Sequence, residues 1–170
     1  MRHATMVPPC DQVPIVLWEQ GAYIEAREKS VQVRKAVIPA AGWGTRMLPA
    51  SKAVPKELFL LVDRPMIHYI VEEAVASGIT QIIIATSSGK EALAAYFSPS
   101  SELERTLAAK GEEHRLADLR NLTDKVEFTY VLQKEQLGLG HAVLMAREVV
   151  GDEPFAVLLP DDIILGQYPA

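Results

Sequence analysis

The chain has one cysteine, Cys10, among 170 residues. That excludes an internal disulfide and a multi-cysteine zinc site, and it fits a reducing, cytoplasmic setting. No surplus of positive charge is present: the formal net charge is −5, which argues against a general nucleic-acid binder and leaves any phosphate-binding cations to local clusters. No apolar run reaches transmembrane length. Met1 to Trp18 contains Pro8, Pro9 and Pro14 around a short apolar patch and lacks a signal-peptide core. Internal repeats and low-complexity tracts are absent, as is a Ser/His/Asp or Cys/His constellation. What is present is apolar content of 49%, enough for one sizeable domain with a core.

Residues 1–32 read differently from the rest. Prolines come first, and Trp18 to Lys29 reads as a short charged helix, so this stretch is expected to be an N-terminal extension, poorly ordered or loosely docked. From residue 33 to 170 the pattern is regular. Val33 to Ala40 and Gln81 to Thr86 read as buried strands, followed by Val126 to Leu132 and Pro154 to Leu159. Between them lie helices at Pro65 to Ser77, Ser88 to Phe97 and His141 to Val150. The first has Met66, Ile67, Ile70, Val71, Ala74 and Val75 on one face and Gly78 as a C-terminal stop. Ser101 to about Leu122 reads as a charged helical excursion interrupted at Gly111, opened by a capping box at Ser101 and Glu104. Alternating strands and helices predict an α/β fold, an open, mainly parallel sheet with helices on both faces. Right-handed crossovers gather the strand-to-helix loops at the C-terminal edge, where ligands of such sheets bind.

Three segments fall on that edge. The first is Ala40 to Pro65, with Gly42 and Gly44 soon after a strand, so that backbone N–H groups can approach an anion. Met47 occupies the third glycine position of a dinucleotide fingerprint, Asp63 sits before a helix instead of at a strand end, and no glycine-lysine-Ser/Thr tripeptide occurs. Both the Rossmann and the Walker patterns are thereby set aside. Arg46, Lys52 and Lys56 add cations, and Pro49 and Pro55 stiffen the loop; a solvated basic turn is the bland alternative. The second segment is Gln133 to Gly140, where an amide side chain can read a base edge and Gly138 lets backbone meet a ring; a plain loop is the alternative. The third is Asp161-Asp162 after an apolar strand, either a polar turn or hard-oxygen ligands for phosphate-bound Mg²⁺. His141 reads as a cap and His68 as packing within an apolar helix.

Together these residues resemble the bacterial UTP–glucose-1-phosphate uridylyltransferases, also called UDP-glucose pyrophosphorylases. The run AAGWGTRMLPASKAVPKE from Ala40 to Glu57 carries the resemblance, joined by Tyr69 to Ala74 (YIVEEA), Gly138 to Ala142 (GLGHA) and Phe155 to Asp162 (FAVLLPDD). It spans about Lys35 to Gly166. It implies a nucleotidyltransferase fold of the glycosyltransferase-A kind, here its N-terminal, nucleotide-binding portion, with the C-terminal part truncated. It also implies the Mg²⁺-dependent reaction of UTP with glucose 1-phosphate to give UDP-glucose and pyrophosphate, and homo-oligomers for full-length members. Residue by residue, Ala41 and Gly42 would face uracil and ribose, with Gly44 in the same substrate-binding set. Arg46 would hold the leaving pyrophosphate, and Lys56 the phosphates at the reacting centre. Gln133 and Gly138 would read uracil, and Asp161 would bind Mg²⁺ with Asp162 close by. The chain departs from the family pattern at Leu58-Phe59-Leu60, Gln136 and Trp43. Family members continue well beyond the Asp-Asp pair, so a catalytically incompetent nucleotide-binding fragment is the alternative expectation, and an interaction protein that keeps the fold without chemistry is another.

Overall fold

The computed structural model describes residues 15–19, 22–26 and 31–163. The chain divides into two compact units, residues 1–32 and 33–170. In the first, β1 (Ile15–Glu19) pairs antiparallel with β2 (Ala22–Ala26), Ile15 facing Ala26 and Glu19 facing Ala22. This replaces the expected helix from Trp18 to Lys29. β-Branched and aromatic residues at Val16, Trp18, Tyr23 and Ile24 favour extended backbone, and that preference outweighs the charge pattern on which the helical reading rested. The expectation of a poorly ordered or loosely docked extension falls largely on residues outside those described.

The second unit is built on a four-stranded parallel sheet in the order β7-β6-β3-β8. β3 (Lys35–Pro39) lies between β6 (Gln81–Thr86) and β8 (Phe155–Val157), and β7 (Glu127–Leu132) flanks β6. The register places Val37 beside Ile83 on one side and Val157 on the other. Side chains alternate across a strand, so a buried run must serve both faces. Ala36, Ile38, Ile82 and Ile84 pack on one face with Ile67, Ile70, Val71, Ala74, Leu93, Phe97, Leu122 and Val126, while Val37 and Ile83 pack on the other with Ala146 and Val150. Each fully buried Ile or Leu contributes roughly 1.5–3 kcal/mol, which is why QIIIAT is a central strand.

The helices follow from their spacing. α1 (Met66–Ala76) buries Ile67, Ile70, Val71 and Ala74, one stripe at helical period. It ends because Gly78 adopts a left-handed φ of 88°, allowing its N–H to reach Val75 and that of Ile79 to reach Ala74. β4 (Leu60–Leu61) and β5 (Arg64–Pro65) form a small hairpin just before α1. α2 (Glu91–Phe97), α3 (Ser101–Lys110) and α4 (Ala117–Thr123) join β6 to β7, with the expected break at Gly111. The cap of α3 is Ser100, not Ser101, and no side-chain bond closes a capping box there.

The expected helix from His141 to Val150 is two pieces, α5 (Leu139–Leu144) and α6 (Arg147–Val150). Tighter bonds from Ala146 N–H to Val143 and from Val149 N–H to Ala146 mark the junction. The Lys35 ammonium closes α6 by donating to the carbonyls of Val149 and Val150 at 3.2 and 3.1 Å and pairing with Glu153 at 2.6 Å. No helix among the described residues is long and apolar enough to cross a membrane.

The topology fixes where a ligand can enter. From β3 the chain moves outward through β6 to β7, then returns to place β8 on the other side of β3. The strand order therefore reverses between β3 and β8, and a crevice opens beyond their C-terminal ends. The loop after β3 is the glycine run, and the loop after β8 carries Asp161 and Asp162.

Candidate functional site

The glycine run leaves β3 through Ala40 and Ala41, both buried. It then makes three short 3₁₀ turns, Thr45–Met47, Ala50–Lys52 and Lys56–Leu58. Gly44 opens the first with φ 64°, a conformation that side chains with a Cβ disfavour. Its carbonyl accepts the Met47 N–H and the Ser51 hydroxyl, each at 2.8 Å, which folds the run back on itself. A Cβ on Gly44 would stand 3.2 Å from Ser51 Cβ and 3.4 Å from Lys56 Cβ, whereas one on Gly42 would meet nothing within 4 Å. Gly42 is thus open to a ligand, and Gly44 belongs to the packing that carries Lys56.

Two expected site residues meet across the crevice. Lys56 Nζ lies 2.6 Å from Asp161 Oδ2, a contact spanning 105 positions of sequence. Side-chain exposure is 19% for Lys56 and 35% for Asp161, so the pair is partly sheltered yet reachable. Asp162 is exposed, and its backbone N–H closes the turn onto Leu159 at 3.3 Å. Arg46 and Lys52 are exposed and make no side-chain hydrogen bond or ion pair with another described residue. They therefore remain available as donors to an anion. Arg46 is not drawn into the Lys56–Asp161 pair.

Gln133 follows β7, which its backbone N–H extends by bonding to Thr86 at 2.8 Å. The residue is buried, 3% exposed, and its amide nitrogen donates to the Gly138 carbonyl at 3.3 Å and to His141 Nδ1 at 2.8 Å. His141 lies inside α5 and does not cap it; Gly138, at φ 92°, is the residue that precedes that helix. Gln136, one of the departures from the family pattern, sends its amide nitrogen 3.1 Å to the Ala41 carbonyl. It ties the second edge segment to the first. His68 is packing, as its apolar helix implied: it is 3% exposed and bonds Tyr96 Oη through Nδ1 at 2.9 Å.

Sequence reasoning missed the loop after β6. Lys90 comes from that loop, and its ammonium reaches the Ala40 carbonyl at 2.6 Å and both oxygens of Glu57 at 3.0 and 2.9 Å. Glu57 is fully buried. The same edge rule that selected the other three loops applies to Ser87-Ser88-Gly89-Lys90, with a glycine and a lysine directly after a buried strand. Between this loop and the glycine run lies a cleft of about 440 Å³, lined by Trp43, Thr45, Lys52, Val54, Ser87 and Lys90 among others.

No group of three or more His, Cys, Asp or Glu side chains is clustered for a metal ion among the described residues. Asp161 and Asp162 offer adjacent carboxylates, a donor set of the kind Mg²⁺ takes when phosphate and water supply its other ligands. In this arrangement Lys56 covers Oδ2 of Asp161, so a cation and the ammonium would share that carboxylate or exchange on it.

An open parallel sheet with a glycine run and a lysine–carboxylate pair at its strand-order reversal defines an α/β domain of the class that binds ligands at that crevice. Residues 35–170 match the family described as Nucleotidyl transferase, and the chain belongs to that family. It is 54% identical over 139 residues to the UTP–glucose-1-phosphate uridylyltransferase YngB of Bacillus subtilis, covering 82% of this chain and 47% of that protein. A second B. subtilis protein, named UTP–glucose-1-phosphate uridylyltransferase, is 53% identical over 138 residues, 81% of this chain and 47% of the relative. Among solved structures, a UTP-bound UGPase from Acinetobacter baumannii superposes with TM-score 0.75 at 50% identity, over 79% of this chain and 48% of that one. The chain spans about half the length of the curated relatives it matches. The expected α/β nucleotidyltransferase fold and the uridylyltransferase resemblance are both borne out.

Proposed function

We propose that this chain carries the nucleotide half of a site that transfers a uridylyl group from UTP to glucose 1-phosphate, releasing pyrophosphate. The observation that carries the reading is the 2.6 Å contact of Lys56 with Asp161 at the strand-order reversal, beside Arg46 and Lys52 of the glycine run, which pair with no other described residue. Relatives of this sequence are named for that reaction, and a neighbouring structure is titled as UTP-bound.

The nucleophile, a phosphate oxygen of glucose 1-phosphate, is already anionic, so no general base is needed. It forms a bond to the α-phosphorus of UTP as the bond from that phosphorus to the bridging oxygen of pyrophosphate breaks. Catalysis then rests on alignment and charge neutralisation. Lys56 steadies the charge on the reacting phosphates. Arg46 forks across the oxygens of the departing pyrophosphate. Ala41, Gly42 and Gly44 present backbone to the nucleotide, and Gln133 holds Gly138 in the shape that faces the base. Mg²⁺, held by Asp161 with Asp162 nearby, would neutralise phosphate charge.

The test is Lys56→Ala, assayed by pyrophosphate release from UTP, glucose 1-phosphate and Mg²⁺ and, separately, by calorimetry with UTP. Turnover should fall by about 10²-fold or more while UTP affinity changes far less, the pattern of an interaction made mainly in the transition state. Unchanged turnover removes Lys56 from the mechanism. A second reading is a domain that binds UTP without completing transfer. Measurable UTP binding by the wild-type chain with no pyrophosphate release supports that reading, and no nucleotide binding at all supports neither.

A further inference from the structure

Lys90 and Glu57 form an ion pair that the transfer mechanism does not use. Glu57 has no exposed surface, and the Lys90 side chain is 10% exposed. A carboxylate so buried must be matched in charge and hydrogen bonding, and here both of its oxygens receive the same ammonium. The ammonium's third contact, 2.6 Å to the Ala40 carbonyl, is the shortest of the set. One side chain therefore joins the end of β3, the last 3₁₀ turn of the glycine run and the loop after β6. Its three acceptors match the three donors of a lysine, leaving none for a phosphate.

Glu57 is the next residue after Lys56 in the Lys56–Leu58 turn. Successive side chains of a 3₁₀ turn diverge by about 120°, so Glu57 can enter the core while Lys56 crosses to Asp161. Fixing the first fixes the second. Neighbouring contacts point the same way: the Phe59 N–H bonds Lys56 at 3.0 Å, the Leu58 N–H bonds Pro55 at 2.9 Å, and Leu58 packs against the core. Glu57 adds to these a buried, charge-matched anchor from another part of the fold.

We infer that Lys90 is a positioning residue for Lys56: through Glu57 it sets where the Lys56 ammonium stands against Asp161, and through Ala40 it sets the start of the nucleotide-facing run. The role of Lys56 in transfer rests on the proposed function; its placement by Lys90 does not.

The decisive variant is Glu57→Gln/Lys90→Met, which is neutral in sum and leaves no unpaired buried charge. Glu57→Gln alone keeps an oxygen for Lys90 and serves as the conservative variant. The first readout needs no activity: the rate at which an amine-acylating reagent labels Lys56, followed by peptide mass spectrometry, with exposed Lys52 as reference. Lys56 should label several-fold faster in the double variant, and near the wild-type rate in Glu57→Gln, with circular dichroism unchanged in both. In the transfer assay kcat should fall about 10²-fold in the double variant, the effect of a misplacement on the order of 1 Å, with KM for UTP nearly constant. Wild-type labelling and kcat in a folded double variant overturn the inference and leave the pair a purely structural one. A raised KM for UTP with kcat retained also overturns it, because Lys90 would then be a phosphate ligand. If the wild-type chain releases no pyrophosphate, the uridylyl reading fails there, and the labelling rates still decide the role of Lys90.

Discussion

The two glycines of the opening run should separate cleanly on substitution by alanine. Gly44 has φ 64°, where an L residue with a Cβ costs about 1–2 kcal/mol. The added Cβ would also sit 3.2 Å from Ser51 Cβ. Ser51 cannot easily give way, because its hydroxyl is held at 2.8 Å by the Gly44 carbonyl itself. The two effects act together, so Gly44→Ala should lose at least about 1–2 kcal/mol. In a chain of this size each kcal/mol moves Tm by roughly 2–4 °C, so a fall of about 2–8 °C is expected. Gly42 has open space around its missing Cβ and no left-handed φ; alanine there should be neutral or stabilising by up to about 1 kcal/mol, through the unfolded chain. Scanning calorimetry of both variants gives the comparison, and UTP titration adds a second axis. Gly42→Ala should weaken UTP binding with Tm unchanged or slightly raised, and Gly44→Ala should lower Tm and turnover together, because the turn that must shift to admit the Cβ packs against Lys56, whose Cβ would stand at contact distance, 3.4 Å. A Gly44→Ala protein with a Tm equal to or above that of Gly42→Ala would refute the argument.

Three further outcomes test the fold. Ile83 is fully buried in the cluster with Val37, Ala146 and Val150, so Ile83→Ala should cost about 2–5 kcal/mol in urea unfolding; a loss under about 1 kcal/mol would mean that this face is not tightly packed. Val62 combines φ 63° with 92% exposure in the turn between β4 and β5, a strained place for a β-branched residue; Val62→Asn should raise stability by about 1 kcal/mol, and a lowered Tm would contradict that account. His68 is held below the ordinary imidazole range by burial and by the Arg64 guanidinium, against the opposing pull of Glu72, Asp118 and Asp63. As pH falls through about 6.5 the unfolded chain takes up a proton that the folded chain refuses, so the stability present above that pH declines until the folded-state group itself titrates. The stability difference between wild type and His68→Gln should therefore narrow between about pH 7.5 and about pH 5 in denaturant titrations, and a constant gap would show that His68 contributes nothing to the acid limb.

The parallel sheet was legible because its central strands, β3 and β6, are buried on both faces and read as apolar runs, and because Gly78 and Gly111 punctuate the helices where left-handed backbone is needed. The β1–β2 hairpin was not, because local charge spacing in Trp18 to Lys29 imitates a helix and masks the extended preference of the β-branched and aromatic residues that pair there. The Lys56–Asp161 contact was half legible. Both residues stand out by type and by position at the sheet edge, but their meeting depends on β8 returning to the far side of β3. The pairing of Lys90 with Glu57 was not legible for a different reason. A lone lysine in a loop reads as solvated, and a glutamate beside a lysine reads as one more surface charge. Their meaning comes from desolvation: once Glu57 is fully buried, a cation must accompany it, and the topology allows only a loop at the same edge to supply one. A site built on charge neutralisation is therefore most visible in sequence where its charges face the ligand, and least visible where they face each other.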